Sequence, residues 1–98
     1  MADPGESWSL ERFVERLDQW VEVEQPPEPV RVAVTRAIFT RMEDPYQGVR
    51  RVEGHDNYWF GVIPRSTHEG FVVTWSYRIF EAARTVRCDM ISTLSAPA

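Results

Sequence analysis

Two stretches of helical periodicity precede three stretches of strand-like alternation, and this order limits the folds that the chain can adopt. Residues 9–23 carry apolar side chains at three- and four-residue spacing, which places them on one face of a helix. A second stripe of this kind runs from Val30 to Met42. Residues 71–80 alternate apolar and polar side chains, as a strand with one buried face does. The order predicts an α+β domain in which an N-terminal two-helix hairpin packs on a C-terminal three- to four-stranded antiparallel sheet.

The first predicted helix has a clear start and a clear end. Ser9 is a suitable N-cap, and Trp8 before it is placed to pack on Phe13, four positions past the cap. Gln25-Pro26-Pro27 ends the helix because proline removes a backbone donor and restricts the residue before it. The apolar stripe of this helix indicates core packing rather than a cofactor site.

The second predicted helix begins at Pro29, since proline suits the first position of a helix. Asp44-Pro45 ends it. Alternating valines over residues 30–35 leave a strand open as an alternative there. The helix is favoured because the stripe continues past the usual length of a strand.

The strand half consists of short segments joined by turns, which predicts an antiparallel meander. Gly61 interrupts one strand and leaves room for another backbone to approach. The predicted strands are 49–52, 58–63, 71–80 and 83–91. In the last of them Val86, Cys88 and Met90 are predicted to share one side. The whole chain, 1–98, is predicted to be one domain, with residues 1–7 and 93–98 as frayed tails.

Composition excludes several classes of protein. No apolar run approaches the roughly 20 residues of a membrane span, and the first residues lack the order of a signal peptide, so we expect a cytoplasmic protein. The lone Cys88 cannot form an intramolecular disulfide and is predicted to be a buried, inert thiol. His55 and His68 lie in turns without further ligands at suitable spacing, so neither a metal nor another cofactor is predicted.

Charge is distributed unevenly along the chain. All eleven basic residues are arginine. Residues 1–30 hold eight acidic residues and two arginines, whereas residues 31–98 hold nine arginines and seven acidic residues. The second part could therefore offer a basic face to a partner, although the excess is too small to predict nucleic-acid binding by itself.

The exposed face of the predicted sheet is the candidate functional surface. Large aromatic side chains and arginine are the residue types that anchor protein interfaces. Arginines beside aromatic rings also suit phosphate contacts and base stacking, and the plain alternative is that they only solvate the face and pair with nearby acids. The predicted partner-binding residues are Arg50, Arg51, Tyr58, Trp59, Arg65, Trp75, Tyr77 and Arg78.

The order of elements and the run from Gly48 to Phe80 resemble the RelE/ParE toxin superfamily. Members typically have a helical hairpin followed by an antiparallel sheet. The likeness covers roughly residues 29–91 and rests on a short basic strand, Val49-Arg50-Arg51-Val52-Glu53-Gly54, and on a next strand that opens with the aromatic Tyr58. The resemblance implies a toxin-like α+β fold.

Several positions depart from the ribonuclease members of that superfamily. Those members carry basic residues just after the aromatic, where this chain has Trp59 and Gly61, and an arginine early in the next strand, where it has Val72. A C-terminal catalytic tyrosine is absent, and no strand is evident before Trp8. Cutting RNA requires groups that activate the 2′-hydroxyl and stabilise the charged phosphorane.

The resemblance therefore implies the fold more than the nuclease. A ParE-like branch, which acts by binding DNA gyrase rather than by catalysis, fits these positions better. The leading hypothesis is a small bacterial protein that binds a protein partner, either an antitoxin or a cellular target. The alternatives are a RelE-like mRNA-cleaving ribonuclease using Arg50, Arg51, Arg65 and Arg78, and an interaction module with no toxin role.

Overall fold

The computed structural model describes residues 7–96, which form two helices and one five-stranded sheet. In chain order the elements are β1 Ser9–Glu11, α1 Phe13–Glu24, α2 Glu28–Thr40, β2 Val49–Arg51, β3 Trp59–Val62, β4 Phe71–Phe80 and β5 Thr85–Ser95. The sheet order is β1-β5-β4-β3-β2. The α+β class and the two helices are confirmed, but a strand precedes the helices, and the sheet has one strand more than the four predicted and is mixed, since β1 lies parallel to β5.

The additional strand, β1, occupies residues predicted to open the first helix. Ser9–Glu11 pair with residues 85–87 of β5. The Ser9 amide donates to the Arg84 carbonyl over 2.8 Å, so Ser9 is a strand residue rather than an N-cap. Arg12, with φ of 65°, turns the chain into α1, whose first residue is Phe13. Leu10 faces the core from either a strand or a helix, which is why the apolar spacing alone did not distinguish them.

The first helix ends where the sequence predicts, whereas the second ends at Thr40, before the predicted stop at Asp44-Pro45. α1 stops at Glu24 and Gln25 takes a left-handed conformation before the two prolines. α2 spans Glu28–Thr40, so residues 30–35 are helical and the strand alternative is wrong. Within residues 7–96 neither helix is long and apolar enough to cross a membrane.

The core lies between the two helices and one face of the sheet, called here the covered face. Phe13 of α1 packs edge-to-face on Trp75, with 6.2 Å between ring centres, and lies 5.9 Å from the ring centre of Tyr77. Val73, Trp75, Tyr77 and Ile79 share this face and are buried, as their alternation predicts. Phe71, at the start of the same row, remains 49% exposed.

A β-bulge in β5 changes the face on which its side chains lie. Ser76 of β4 pairs with Met90, whereas Tyr77 pairs with Cys88, so Asp89 is an extra residue between them. Met90 therefore lies on the opposite face from Cys88 and is 53% exposed, which contradicts the predicted row of Val86, Cys88 and Met90.

The ends of the chain differ from prediction where they can be described. β5 continues through Thr93, Leu94 and Ser95, because Phe71 to Thr74 pair with them and with Ser92, so these three residues are not a frayed tail. Residues 1–6 and 97–98, also predicted to be tails, lie outside the described residues.

Gly61 gives β2 the room that the sequence predicts. It pairs with Val49, and a Cβ added at Gly61 would collide with the Gly48 carbonyl oxygen and lie 2.7 Å from Val49 Cγ1. Only glycine permits this close approach of the edge strand, so Gly61 fixes the position of β2 against β3.

Candidate functional site

The face of the sheet turned away from the helices, called here the open face, carries an exposed apolar patch. Its members come from β3, β4 and β5 at neighbouring register positions: Phe60 and Met90 flank Ser76, and Val72 pairs with Leu94. Val62, Met90 and Leu94 are 51%, 53% and 47% exposed. Contiguous exposed apolar side chains mark interaction sites in soluble proteins. The apolar patch is defined as Phe60, Val62, Val72, Met90 and Leu94.

A polar cluster borders the apolar patch on the same face. The Tyr58 hydroxyl lies 2.9 Å from Asp89 Oδ2 and 3.0 Å from Ser76 Oγ. The Arg78 guanidinium stacks over the Tyr58 ring, 5.2 Å from its centre. The bulge brings Asp89 to this position, so the same irregularity builds the polar cluster and exposes Met90. The polar cluster is defined as Tyr58, Ser76, Arg78 and Asp89.

An exposed ion pair joins β5 to the edge strand β1 on the open face. Arg87 Nε donates to Glu11 Oε1 over 2.9 Å, and the Arg87 guanidinium lies 5.1 Å from the centre of the Phe80 ring. Arg87 is therefore already neutralised by Glu11. On the opposite edge Arg50 pairs with Phe60 and makes no ion pair within residues 7–96, so its charge is available to a partner.

Three of the predicted partner-binding residues lie together on the open face: Arg50, Tyr58 and Arg78. The predicted placement of Trp75 and Tyr77 on an exposed surface is wrong. They are 2% and 0% exposed, because the helices cover the more apolar of the two rows of β4. Neither therefore lies on the open face, although Trp75 lines a groove between α2 and β3.

The other predicted residues are dispersed. Trp59 lies on the covered face, where it packs against Tyr46 with 5.2 Å between ring centres and donates its Nε1–H to Asn57 Oδ1. Arg51 pairs with Trp59 and so alternates away from Arg50. Arg65 lies in the loop after β3 and lines a separate groove between α2 and β3. The four arginines proposed for RNA cleavage thus do not converge on one face.

Sequence analysis missed a buried arginine beside that groove. Arg41 is 4% exposed, although it follows the last residue of α2. Its Nη1 donates to the Gln47 carbonyl over 2.6 Å and to the Tyr77 hydroxyl over 2.8 Å. The signal was present in the sequence, since Arg41 continues the apolar stripe of Ala37 and Ile38 at helical spacing.

The remaining reactive side chains form no site. Cys88 is 1% exposed, and burial raises the pKa of its thiol to about 12, which keeps the thiol protonated and unreactive. His68 lies 3.8 Å from Glu69 in the loop before β4. Among residues 7–96 no three His, Cys, Asp or Glu side chains are grouped so that they could hold a metal ion.

Comparison with known proteins agrees with this geometry at the level of the fold. No protein-family model and no curated protein matches the sequence. A solved structure does match: a double arginine-to-alanine mutant of the E. coli toxin RelE in the free state, with a TM-score of 0.60 and 13% sequence identity over 88% of this chain and 82% of that chain. The protein therefore has a RelE-like toxin fold. The strand β1, which was not predicted from the sequence, precedes the two helices.

Proposed function

We propose that this protein is a toxin-like cytoplasmic protein that acts by binding a protein partner through the open face of its sheet. The observation that carries the proposal is the apolar patch, where Val62, Met90 and Leu94 are each about half exposed on strands of one face. Methionine, aromatic residues and arginine are enriched in interfaces, and Arg50 and Arg78 lie on the same face. The partner surface expected here is an apolar strip with a carboxylate beside it.

The chemistry of the patch supports binding rather than catalysis, as in the ParE-like branch. Trp59 and Gly61 occupy covered-face positions, so the open-face positions of β3 are held by Phe60 and Val62. Val72 lies on the same face, opposite Leu94. Apolar side chains neither move a proton nor stabilise a phosphorane. They do exclude water from an interface.

The proposal is tested by introducing charge into the patch. We expect expression in a bacterial host to arrest growth with mRNA intact, and Met90→Asp/Leu94→Asp to relieve the arrest. Val14→Asp/Phe39→Asp is the matched control, because those side chains are 66% and 62% exposed on the helices, which lie on the other side of the sheet from the patch. Circular dichroism of each purified variant checks that the fold is kept.

The outcomes of this experiment distinguish the proposed functions from one another. An arrest that persists in the patch variant contradicts binding through the open face. Absence of any growth effect from the wild-type protein removes both toxin proposals and leaves an interaction module with no toxin role.

A second candidate, a RelE-like ribonuclease, draws support from the polar cluster. The Tyr58 hydroxyl bonded to Asp89 could exchange a proton, and Arg78 over the same ring could hold a phosphate. Purified protein would then cleave RNA, and Tyr58→Phe and Asp89→Asn would abolish cleavage while Tyr46→Phe, on the covered side, would not. Intact RNA in this assay excludes the ribonuclease and leaves partner binding.

A further inference from the structure

A groove of about 560 Å³ lies between α2 and the end of β3, separate from the polar cluster of the open face. Arg36, Arg41 and Arg65 line it together with Trp75, and apolar side chains such as Val32 and Pro64 form its walls. None of the described residues that line it is acidic. A site lined by one sign of charge concentrates ions of the opposite sign, even in a protein whose net charge is −4.

Arg41 is a buried cation held only by neutral acceptors. Besides Gln47 and Tyr77, its partners are the Pro45 carbonyl and the Thr40 hydroxyl, which accepts from Nε at 3.3 Å and from Nη2 at 3.1 Å. Within residues 7–96 no carboxylate lies within 4.0 Å of it. A guanidinium has five N–H donors, and these contacts leave one Nη2–H unused. A buried charge without a counter-ion is unfavourable, so an anion placed here would stabilise the protein.

Trp75 offers a second unused donor at the same place. Its ring lies 5.0 Å from Arg41 Cζ, and the side chain is 2% exposed. The buried Trp75 Nε1 has no hydrogen-bond partner among the described residues. An indole N–H can only donate, so an acceptor atom in the groove would satisfy it.

Two further guanidinium groups, those of Arg36 and Arg65, line the groove without carboxylate partners among the described residues. Neither Arg36 nor Arg65 makes an ion pair within residues 7–96. Arg65 has φ of 62°, a left-handed conformation that costs a non-glycine residue free energy.

We propose that the α2–β3 groove binds a phosphate-bearing small molecule through Arg36, Arg41, Arg65 and Trp75 Nε1. Three cationic groups exceed what one carboxylate can neutralise, whereas a phosphate monoester carries about two negative charges and three acceptor oxygens. Guanidinium groups match phosphate oxygens in bidentate geometry. The groove volume falls within the range of small-molecule sites, and its apolar walls suit the organic part of the ligand.

The probes are sodium pyrophosphate and adenosine monophosphate, observed through the tryptophan indole N–H signals of ¹⁵N-labelled protein. We expect one of the indole signals to move saturably, and Trp75→Phe to identify it by removing it. Arg36→Ala/Arg65→Ala should weaken binding at least about tenfold, since each charge-assisted hydrogen bond contributes roughly that factor. Arg41 is left unchanged because its buried contacts make it a folding residue as well.

Arg31→Ala/Arg50→Ala is the matched control, because it removes the same charge from outside the groove. The proposal is overturned if neither probe moves the Trp75 signal, if sodium chloride at equal ionic strength moves it equally, or if the two double variants weaken binding alike. Its failure is distinguishable from failure of partner binding. The Met90→Asp/Leu94→Asp variant should still bind the phosphate probes.

Discussion

The covered face and the open face of the sheet both carry large apolar side chains, but these side chains differ in their exposure to water. Trp75 and Tyr77 of β4 are buried beneath the helices, whereas Val62 and Leu94, on the neighbouring strands β3 and β5, stay about half exposed. Side chains of one chemical type thus stabilise the fold on one face and remain available on the other. The difference shows that position relative to the helices decides which apolar residues hold the fold and which offer a surface.

The bulge at Asp89 changes the face of the sheet on which the side chains of β5 lie. Cys88 lies among core side chains at 1% exposure, and Met90, two positions later, is 53% exposed. In a regular strand these residues would share a face. The open face therefore owes part of its apolar patch to a backbone irregularity rather than to the alternation of the sequence.

Truncating a side chain that joins the helices to the covered face should have the largest effect. Phe13→Ala leaves a cavity against the rings of Trp75 and Tyr77, and we expect a loss of about 3–5 kcal/mol in the free energy of unfolding. Urea denaturation followed by tryptophan fluorescence measures it. Met90→Ala, on the open face, should change stability by less than about 0.5 kcal/mol. Equal losses in both variants would contradict the distinction between the faces.

Alkaline pH should lower the free energy of unfolding of the protein, because Cys88 is buried on the covered face. Burial raises the pKa of its thiol from 9.0 to about 12, so the unfolded chain releases this proton near pH 9 while the folded chain retains it. The stabilisation is complete below pH 9 and is lost as pH rises toward 12, by about 1.4 kcal/mol per pH unit.

The control for the alkaline effect is Cys88→Ala. Its stability should fall less steeply than that of the wild type between pH 9 and 10. Tyrosines account for the decrease in stability with pH that remains in Cys88→Ala. Burial, together with Glu81, raises the pKa of Tyr46 to about 12, and burial also raises the pKa of Tyr77. Parallel profiles for the two proteins would show that the thiol is not desolvated in the folded state.

Adding one methyl group on the covered side of β3 should detach the edge strand. Gly61→Ala forces a Cβ against the Gly48 carbonyl and Val49, and we expect a loss of about 1–3 kcal/mol together with faster amide exchange in β2. Val62→Ala, the next residue but on the open face, should leave both quantities nearly unchanged. Protection of β2 that survives in Gly61→Ala would show that the strand can move away without cost.

The smallest effect should come from the ion pair on the open face. Glu11 and Arg87 are joined over 2.9 Å, but their side chains are 46% and 50% exposed. Solvent screens such pairs, so Glu11→Gln should cost less than about 1 kcal/mol in the free energy of unfolding. A larger loss would mean that the parallel pairing of β1 with β5 depends on this contact.

Elements that depend on the local spacing of apolar residues could be predicted from the sequence. Elements that depend on pairing between distant parts of the chain could not. The second helix and the buried row of Val73, Trp75, Tyr77 and Ile79 follow from periodicity. β1 could not be found this way, because three residues give too short a pattern and their partner strand begins at Thr85.

The candidate site was predicted only in part for the same reason. Tyr58 and Arg78 lie close together because β3 and β4 are neighbours in sequence and in the sheet. Met90 lies on the open face because of a β-bulge, and no residue type in the sequence predicts that bulge. Arg41 lies at helical spacing within the stripe that runs from Val30 to Met42, but its burial depends on acceptors outside α2, at Gln47 and Tyr77.

The position of β5 inside the sheet, between β1 and β4, has a consequence for folding order. β5 is the last strand in sequence, so during synthesis β1 has no partner and the long edge of β4 stays open until residues 85–95 appear. Contacts of such large sequence separation form slowly because loop closure must come first. We therefore expect chains shortened before Thr85 to remain unfolded and prone to pair edge to edge, and the apolar patch, which needs Met90 and Leu94, to be assembled only in the finished fold.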